Sequence, residues 1–172
     1  MRKLGIAASA FVLGAVVLAL TGAAVAHEGS SVKAKLNGYN EVVGPGSIST
    51  TGRGTFRAKI DDKDQRITYT LTYSNLENPA TQAHVHFAQQ HVGGGVIFFL
   101  CGGGGTDPCP PTSGTVRGVV TPEDIIGPEG QGIEPGSFDE AVRAMRAGAT
   151  YANVHSTRWP AGEIRGQLRD ND

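Results

Sequence analysis

Short stretches in which apolar and polar residues alternate, bounded by turn-forming residues, run along the chain from about residue 31 to 169. The clearest is Arg66-Ile-Thr-Tyr-Thr-Leu-Thr-Tyr73. Ile67, Tyr69, Leu71 and Tyr73 share one face and Thr68, Thr70 and Thr72 the other, the period of two expected of a half-buried strand. The polar run Asp61-Asp-Lys-Asp64 before it predicts a hairpin joining a strand at 53–60 to one at 66–73. The same patterning predicts strands at 31–37, 82–88, 96–101, 115–120, 150–155 and 163–169. Val96-Ile-Phe-Phe-Leu100 is apolar throughout, which suits a central strand covered on both faces. One stretch has helical period instead: Phe138, Ala141, Val142 and Met145 fall at i, i+3, i+4 and i+7. Ser137 and Glu140 offer a capping box at its start, and Gly148 a stop. Thr121 to Asp124 predicts a further short turn of helix, and Gly127 to Gly136 a surface loop. Many short strands with one late helix predict an all-β, antiparallel fold. The expected form is a Greek-key-like β-sandwich or flattened barrel with one short helix near 137–147. The gaps between strands are too short for the crossovers of a parallel sheet.

Ahead of the strands lies a different kind of segment. Arg2 and Lys3 precede an apolar stretch from Leu4 to Leu20, and Ala24-Val25-Ala26 places small residues where a signal peptidase reads them. Residues 1–26 are therefore expected to be a signal peptide cleaved before His27, leaving 27–172 as a single domain in a secreted or extracytoplasmic protein. An uncleaved anchor is the alternative, since the stretch is long enough to cross a bilayer. No twin-arginine pair precedes it, and no cysteine near the cleavage point could take a lipid.

Charged residues make up 18% of the 172, and the formal net charge of −1 becomes −3 once Arg2 and Lys3 are removed. That balance shows no basic footprint for nucleic acid. No second apolar span remains after signal cleavage. The expected partner is an unidentified extracytoplasmic protein or envelope component. Cys101 and Cys109 enclose seven residues, four of them glycine. In an oxidising compartment such a pair is expected to form a structural disulfide, because two thiols alone rarely complete a zinc site.

Candidate chemistry centres on histidine. Ala83-His84-Val85-His86-Phe87 places two imidazoles on one strand face at i and i+2. In Tyr151-Ala-Asn-Val-His155, Ala152 and Val154 suit the core, so Tyr151, Asn153 and His155 share the other face. If the two strands pair in suitable register, His84, His86 and His155 form a three-nitrogen site for Zn²⁺ or Cu²⁺ with a position left open. His91, beside a glycine run, is a candidate fourth ligand or a solvated loop residue. His27, once N-terminal, could chelate copper through its imidazole and α-amine. A G-x-apolar-R-small pattern recurs at Gly54, Gly114 and Gly162, without the fixed spacing of a tandem repeat. It directs Phe56, Val116 and Ile164 inward and Arg57, Arg117 and Arg165 outward. Glu163 and Arg165 share a face, so an ion pair supporting His155 is expected, with Asn153 beside it. No nucleophile with a positioned base is evident, and the glycine runs lack the Lys-Ser/Thr of a phosphate-cradling loop.

The combination of Leu36-Asn-Gly-Tyr-Asn-Glu41-Val, Ala83-His84-Val-His86, Gly94-Gly-Val-Ile, Tyr151-Ala-Asn-Val-His155 and Pro160-Ala-Gly-Glu163-Ile-Arg165-Gly-Gln167 resembles the CHRD family, named for the domain repeated in chordin. The likeness runs from about Ser31 to Arg169. It implies an extracytoplasmic all-β domain without an agreed activity. The chain departs from that pattern at Glu41-Val-Val-Gly, where a diproline often follows the acidic residue. The His-Val-His-Phe strand is also similar to that of copper–zinc superoxide dismutases, but the metal-bridging zinc loop with its further histidines and aspartate is missing from the sequence.

The leading expectation is a secreted, non-enzymatic module of the CHRD type with a Zn- or Cu-binding histidine cluster. One alternative is a structural or adhesive cell-envelope domain, metal-free, in which the histidines join a hydrogen-bonded network with Asn153, Glu163 and Arg165. The other is a copper-dependent redox enzyme.

Overall fold

The computed structural model describes residues 29–42 and 44–170, so the expected signal segment and His27 lie outside the described residues. Nine strands form one antiparallel sheet: β1 (Ser31–Asn37), β2 (Arg53–Asp61), β3 (Arg66–Ser74), β4 (Ala80–Phe87), β5 (Gly95–Cys101), β6 (Gly114–Val120), β7 (Thr150–Ser156), β8 (Ile164–Gln167) and β9 (Arg169–Asp170). Their order is β5-β4-β7-β8-β1-β2-β3-β6, with β9 pairing β1. The two ends of this path, β5 and β6, approach each other, so the sheet curls into a nearly closed barrel. β1-β2-β3, β4-β5 and β7-β8 join sequential neighbours, whereas the links from β3 to β4 and from β6 to β7 pass between non-adjacent strands, the Greek-key-like arrangement expected.

The barrel interior is built by alternation. The β2–β3 hairpin pairs Phe56 with Leu71 and Ala58 with Tyr69. Phe56, Ile60, Ile67, Leu71, Val85 and Phe98 have no exposed surface. Burying a side chain of this size stabilises by about 1.5–3 kcal/mol relative to leaving it in water. Helix α1 (Phe138–Arg146) buries Phe138, Ala141, Val142 and Met145, the predicted stripe, in the same core cluster.

Four local expectations are corrected. Val96–Leu100 forms a strand, but β5 ends the path rather than lying at its centre. Its outer edge is covered by the segment after β6: Ile126 N donates to Ile97 O at 2.9 Å, while Ile125 and Ile133 are buried. An apolar run thus reports cover, not the number of paired neighbours. The predicted strand at 163–169 is broken at Leu168, whose N–H donates to Thr150 O. Ser137 is the N-cap of α1 but makes no side-chain cap bond; at ψ 75° its backbone is not extended, and Glu140 faces Arg143 instead. The capping box that does form joins Thr121 and Asp124 around the 3₁₀ turn Pro122–Asp124. The loop from Gly127 to Gly136 contains a second 3₁₀ turn, Glu129–Gln131, and an inward Ile133.

Cys101 and Cys109 are joined in a disulfide with Cα atoms 5.0 Å apart, closing the glycine loop after β5. Among the described residues, no helix is long and apolar enough to cross a membrane.

Candidate metal centre

The site is assembled on the outer faces of β4 and β7. Alternation sends Ala83 and Val85, Ala152 and Val154 into the barrel, which leaves His84, His86, Tyr151, Asn153 and His155 outside it. The register sets His84 opposite Asn153, His86 opposite Tyr151 and Gln82 opposite His155, so His155 reaches His84 diagonally. On the other side of β4, the pairing with β5 shifts between Ala83 and His84 and again between Val85 and His86. Such irregularities re-aim side chains, and these flank the His-x-His pair.

The three imidazoles converge. One ligand nitrogen from each of His84, His86 and His155 lies within 4.8 Å of the others. Ring centroids are 4.6 Å apart for His84–His86, 4.5 Å for His84–His155 and 6.3 Å for His86–His155. His86 Nδ1 donates to Gly94 O at 2.8 Å and His155 Nδ1 to Pro160 O at 2.9 Å. A carbonyl can only accept, so both rings carry the proton on Nδ1 and a lone pair on Nε2. His155 Nε2 is buried with no hydrogen-bond partner. His86 Nε2 lies 2.7 Å from His84 Nδ1, a pair that one proton or one cation can satisfy.

Burial lowers all three histidines. His84 falls to about 3, by desolvation and then by the neighbouring His155 and His86. His86 falls to about 4, by desolvation, with the Gly94 carbonyl opposing and His155 and Arg165 adding to the fall. His155 is lowered by desolvation against the Pro160 carbonyl. All three are neutral at neutral pH, as metal coordination requires.

The surroundings hold the rings in place. Phe99 meets His84 edge-on with centroids 5.3 Å apart. Tyr151 stacks on His86 at 4.6 Å and 4°, and the Arg165 guanidinium carbon lies over the Tyr151 ring, 3.4 Å from its centroid. Arg165 NH2 donates to the carbonyls of Val92 (2.7 Å) and Gln89 (3.2 Å), tying down the segment that presents Gly94 O to His86. Gly94 is required there, because a Cβ would collide with the Phe87 carbonyl.

Beyond the rings, Asn153 Nδ2 donates to Glu41 Oε1 at 2.6 Å and to Ile164 O at 2.9 Å. Gly162 (φ +132°) lets this pair close, since a Cβ would fall 2.8–2.9 Å from Glu41 Oε1 and Asn153 Nδ2. Burial raises Glu41 to about 7, against the pull of Asn153, Arg165 and the Val42 backbone.

Two expectations about this neighbourhood change. Glu163 and Arg165 make no ion pair: Glu163 Oε1 accepts from Thr50 Oγ1 (2.7 Å) and Glu77 N (2.9 Å), while the guanidinium is held by Tyr151 and two carbonyls. The acid whose charge acts on Arg165 is Glu41. His91 does not join the cluster; it is exposed, in a left-handed turn conformation at φ +66°. Glu41, Gly94 and Pro160 were not named as site residues from the sequence. Each contributes through a loop, and the only sequence signal was their place in the quoted motifs. Arg57 and Arg117 are exposed, as a solvated strand face requires.

With the geometry in view, comparison with protein families finds the CHRD domain model matching residues 32–168. The chain belongs to the CHRD family. No curated protein and no solved structure matches it. The matched span holds the CHRD barrel except the first residue of β1 and the whole of β9, together with the three histidines and the loops that orient them.

Proposed function

We propose that this CHRD domain is an exported, non-enzymatic module that binds one Zn²⁺ or Cu²⁺ through His84, His86 and His155. The observation that carries the reading is tautomeric. Two backbone carbonyls place the Nδ1 protons of His86 and His155 and so leave a lone pair on each Nε2; that of His86 faces His84, and that of His155 is buried without a partner. Outer groups that fix ring orientation in this way are what metal-binding imidazoles use. Asn153, Arg165 and Glu163 act behind the ligands, by holding Glu41, the 89–92 segment and the Thr50 loop respectively. Binding rather than turnover is favoured because His84 and His86 are only 5% and 9% exposed, which suits an ion or a water-sized ligand and not an organic substrate. The disulfide supports export with residues 1–26 as a cleaved signal. N-terminal sequencing of the exported form reads the cleavage point.

The test is elemental analysis of the purified protein, and of chelator-stripped protein returned to Zn²⁺ or Cu²⁺. One tightly held equivalent, lost in the His84→Ala, His86→Ala double variant, is the expected result. A protein that takes up neither ion, and whose melting temperature ignores both, overturns it. That outcome favours the metal-free structural reading, for which the direct His84–His86 contact is the relevant observation. Bound copper with redox turnover would instead make the protein an enzyme.

A further inference from the structure

The near-zero net charge of the chain hides a strong segregation. On the opposite part of the barrel from the histidines, β9, β1, β2, β3 and β6 pair side by side. Their register aligns Arg169 with Lys33, Lys33 with Arg57, Arg57 with Thr70 and Thr70 with Arg117. Four of the five residues in this single transverse row are cations, at successive strand spacings of about 4.8 Å. Lys35 and Lys59 stand in the rows on either side, among the hydroxyls of Thr55, Thr68, Thr72 and Thr115. All these cations are exposed. The single acid at an outward position of β1, β2, β3 or β6 is Asp61, at the strand end opposite Arg66.

This arrangement is not explained by stability. Among the described residues, Lys33, Arg57 and Arg117 take part in no ion pair, and the pairs present lie elsewhere. Like charges directly opposite one another on paired strands are destabilising. The face is also dented. Depressions of about 430, 300 and 270 Å³ lie along it, the first lined by Lys35, Arg53, Thr55 and Thr72, the second by Lys33, Arg57, Lys59 and Thr70, and the third by Lys35, Arg57 and Arg169. The third shares Lys35 and Thr55 with the first and Lys33 and Arg57 with the second, so the three lie side by side along the face.

The geometry points to this face as the binding site of an acidic polysaccharide, a sugar chain bearing carboxylate or sulfate groups that lies across the strands. The cation row meets the acidic groups and the threonine rows meet the sugar hydroxyls. A lipid surface fits less well, since the one large apolar side chain exposed on the face is Val119 and no aromatic is there to insert. Single-stranded nucleic acid would want the same missing aromatics for stacking.

The test is titration of the folded protein with heparin and with polygalacturonate, using dextran as the neutral control, over a range of NaCl. Binding to at least one acidic glycan at physiological salt, weakening as salt rises, is expected, with none to dextran. The Lys33→Gln, Arg57→Gln, Arg117→Gln variant should bind at least tenfold more weakly. Its near-UV circular dichroism should be unchanged and its melting temperature should not fall, because like-charge repulsion is relieved. Binding to neither acidic glycan overturns the proposal, as does equal affinity for dextran, undiminished affinity in the variant, or tighter binding to anionic vesicles or duplex DNA. These readouts do not involve the histidines, so the metal reading and this one fail separately.

Discussion

Arg165 sits over Tyr151, its guanidinium carbon 3.4 Å from the ring centroid, and Tyr151 in turn lies parallel to His86. A side chain that the strand pattern sends outward is 1% exposed, because loops close over it. Removing it leaves the Gln89 and Val92 carbonyls without their donor and frees the segment that presents Gly94 O to His86. Arg165→Gln should therefore lower stability by about 2–4 kcal/mol in urea unfolding, and weaken the metal about tenfold or more. Arg165→Lys keeps the charge but loses the planar fork, and should recover little of either.

The 88–94 segment can be probed from the other end. Gly94→Ala drives a Cβ into the Phe87 backbone, whereas Gly130, in a 3₁₀ turn, has nothing within 4 Å of such an atom. Gly94→Ala should cost about 3 kcal/mol or more and loosen the metal, and Gly130→Ala should stay within about 0.5 kcal/mol. Equal effects in the two variants would contradict the tight approach at Gly94.

Stability should depend on pH through two opposing kinds of group. His84, His86 and His155 are depressed in the fold, so below about pH 6.5 the unfolded chain takes up protons that the folded one refuses. Their contribution is complete above that pH and is lost as pH falls toward 4. Glu41 is raised to about 7, so between about 4.5 and 7 the folded state holds a proton the unfolded state lacks, and its contribution declines as pH rises through that window. The histidines outnumber it, and chelator-treated protein should gain stability from pH 4.5 to 6.5. Glu41→Gln should steepen that gain by about one proton, or roughly 1.4 kcal/mol per pH unit. Urea unfolding at several pH values measures both slopes.

Reducing the Cys101–Cys109 bridge opens a loop that hangs from the buried end of β5. The loss should be about 2–3 kcal/mol, read as a lower urea midpoint in the presence of reductant. Because Gly103 and Gly104 of the loop pack against the Phe99 ring, which meets His84 edge-on, metal affinity of the reduced, folded protein should also fall.

Much of this protein can be read from periodicity alone. The alternation in 66–73, the helical stripe from Phe138 to Met145, and the shared faces of His84 with His86 and of Asn153 with His155 are local properties of the chain. Each follows from where successive side chains must point, and the structure keeps them all. The expected ion pair of Glu163 with Arg165 failed for the complementary reason. A shared face states only that two groups can meet, and both found better partners from distant loops.

What local pattern leaves open is which strands become neighbours, in which register, and which loops close over the exposed face. The pairing of β4 with β7 joins residues some 70 positions apart, and Glu41 reaches Asn153 across 112. Such contacts depend on the summed fit of the whole barrel, so no short window carries their signal. The alignment of Arg169, Lys33, Arg57 and Arg117 in one row has the same origin: each is an ordinary solvated cation along the chain, and only the pairing of five strands brings their charges together.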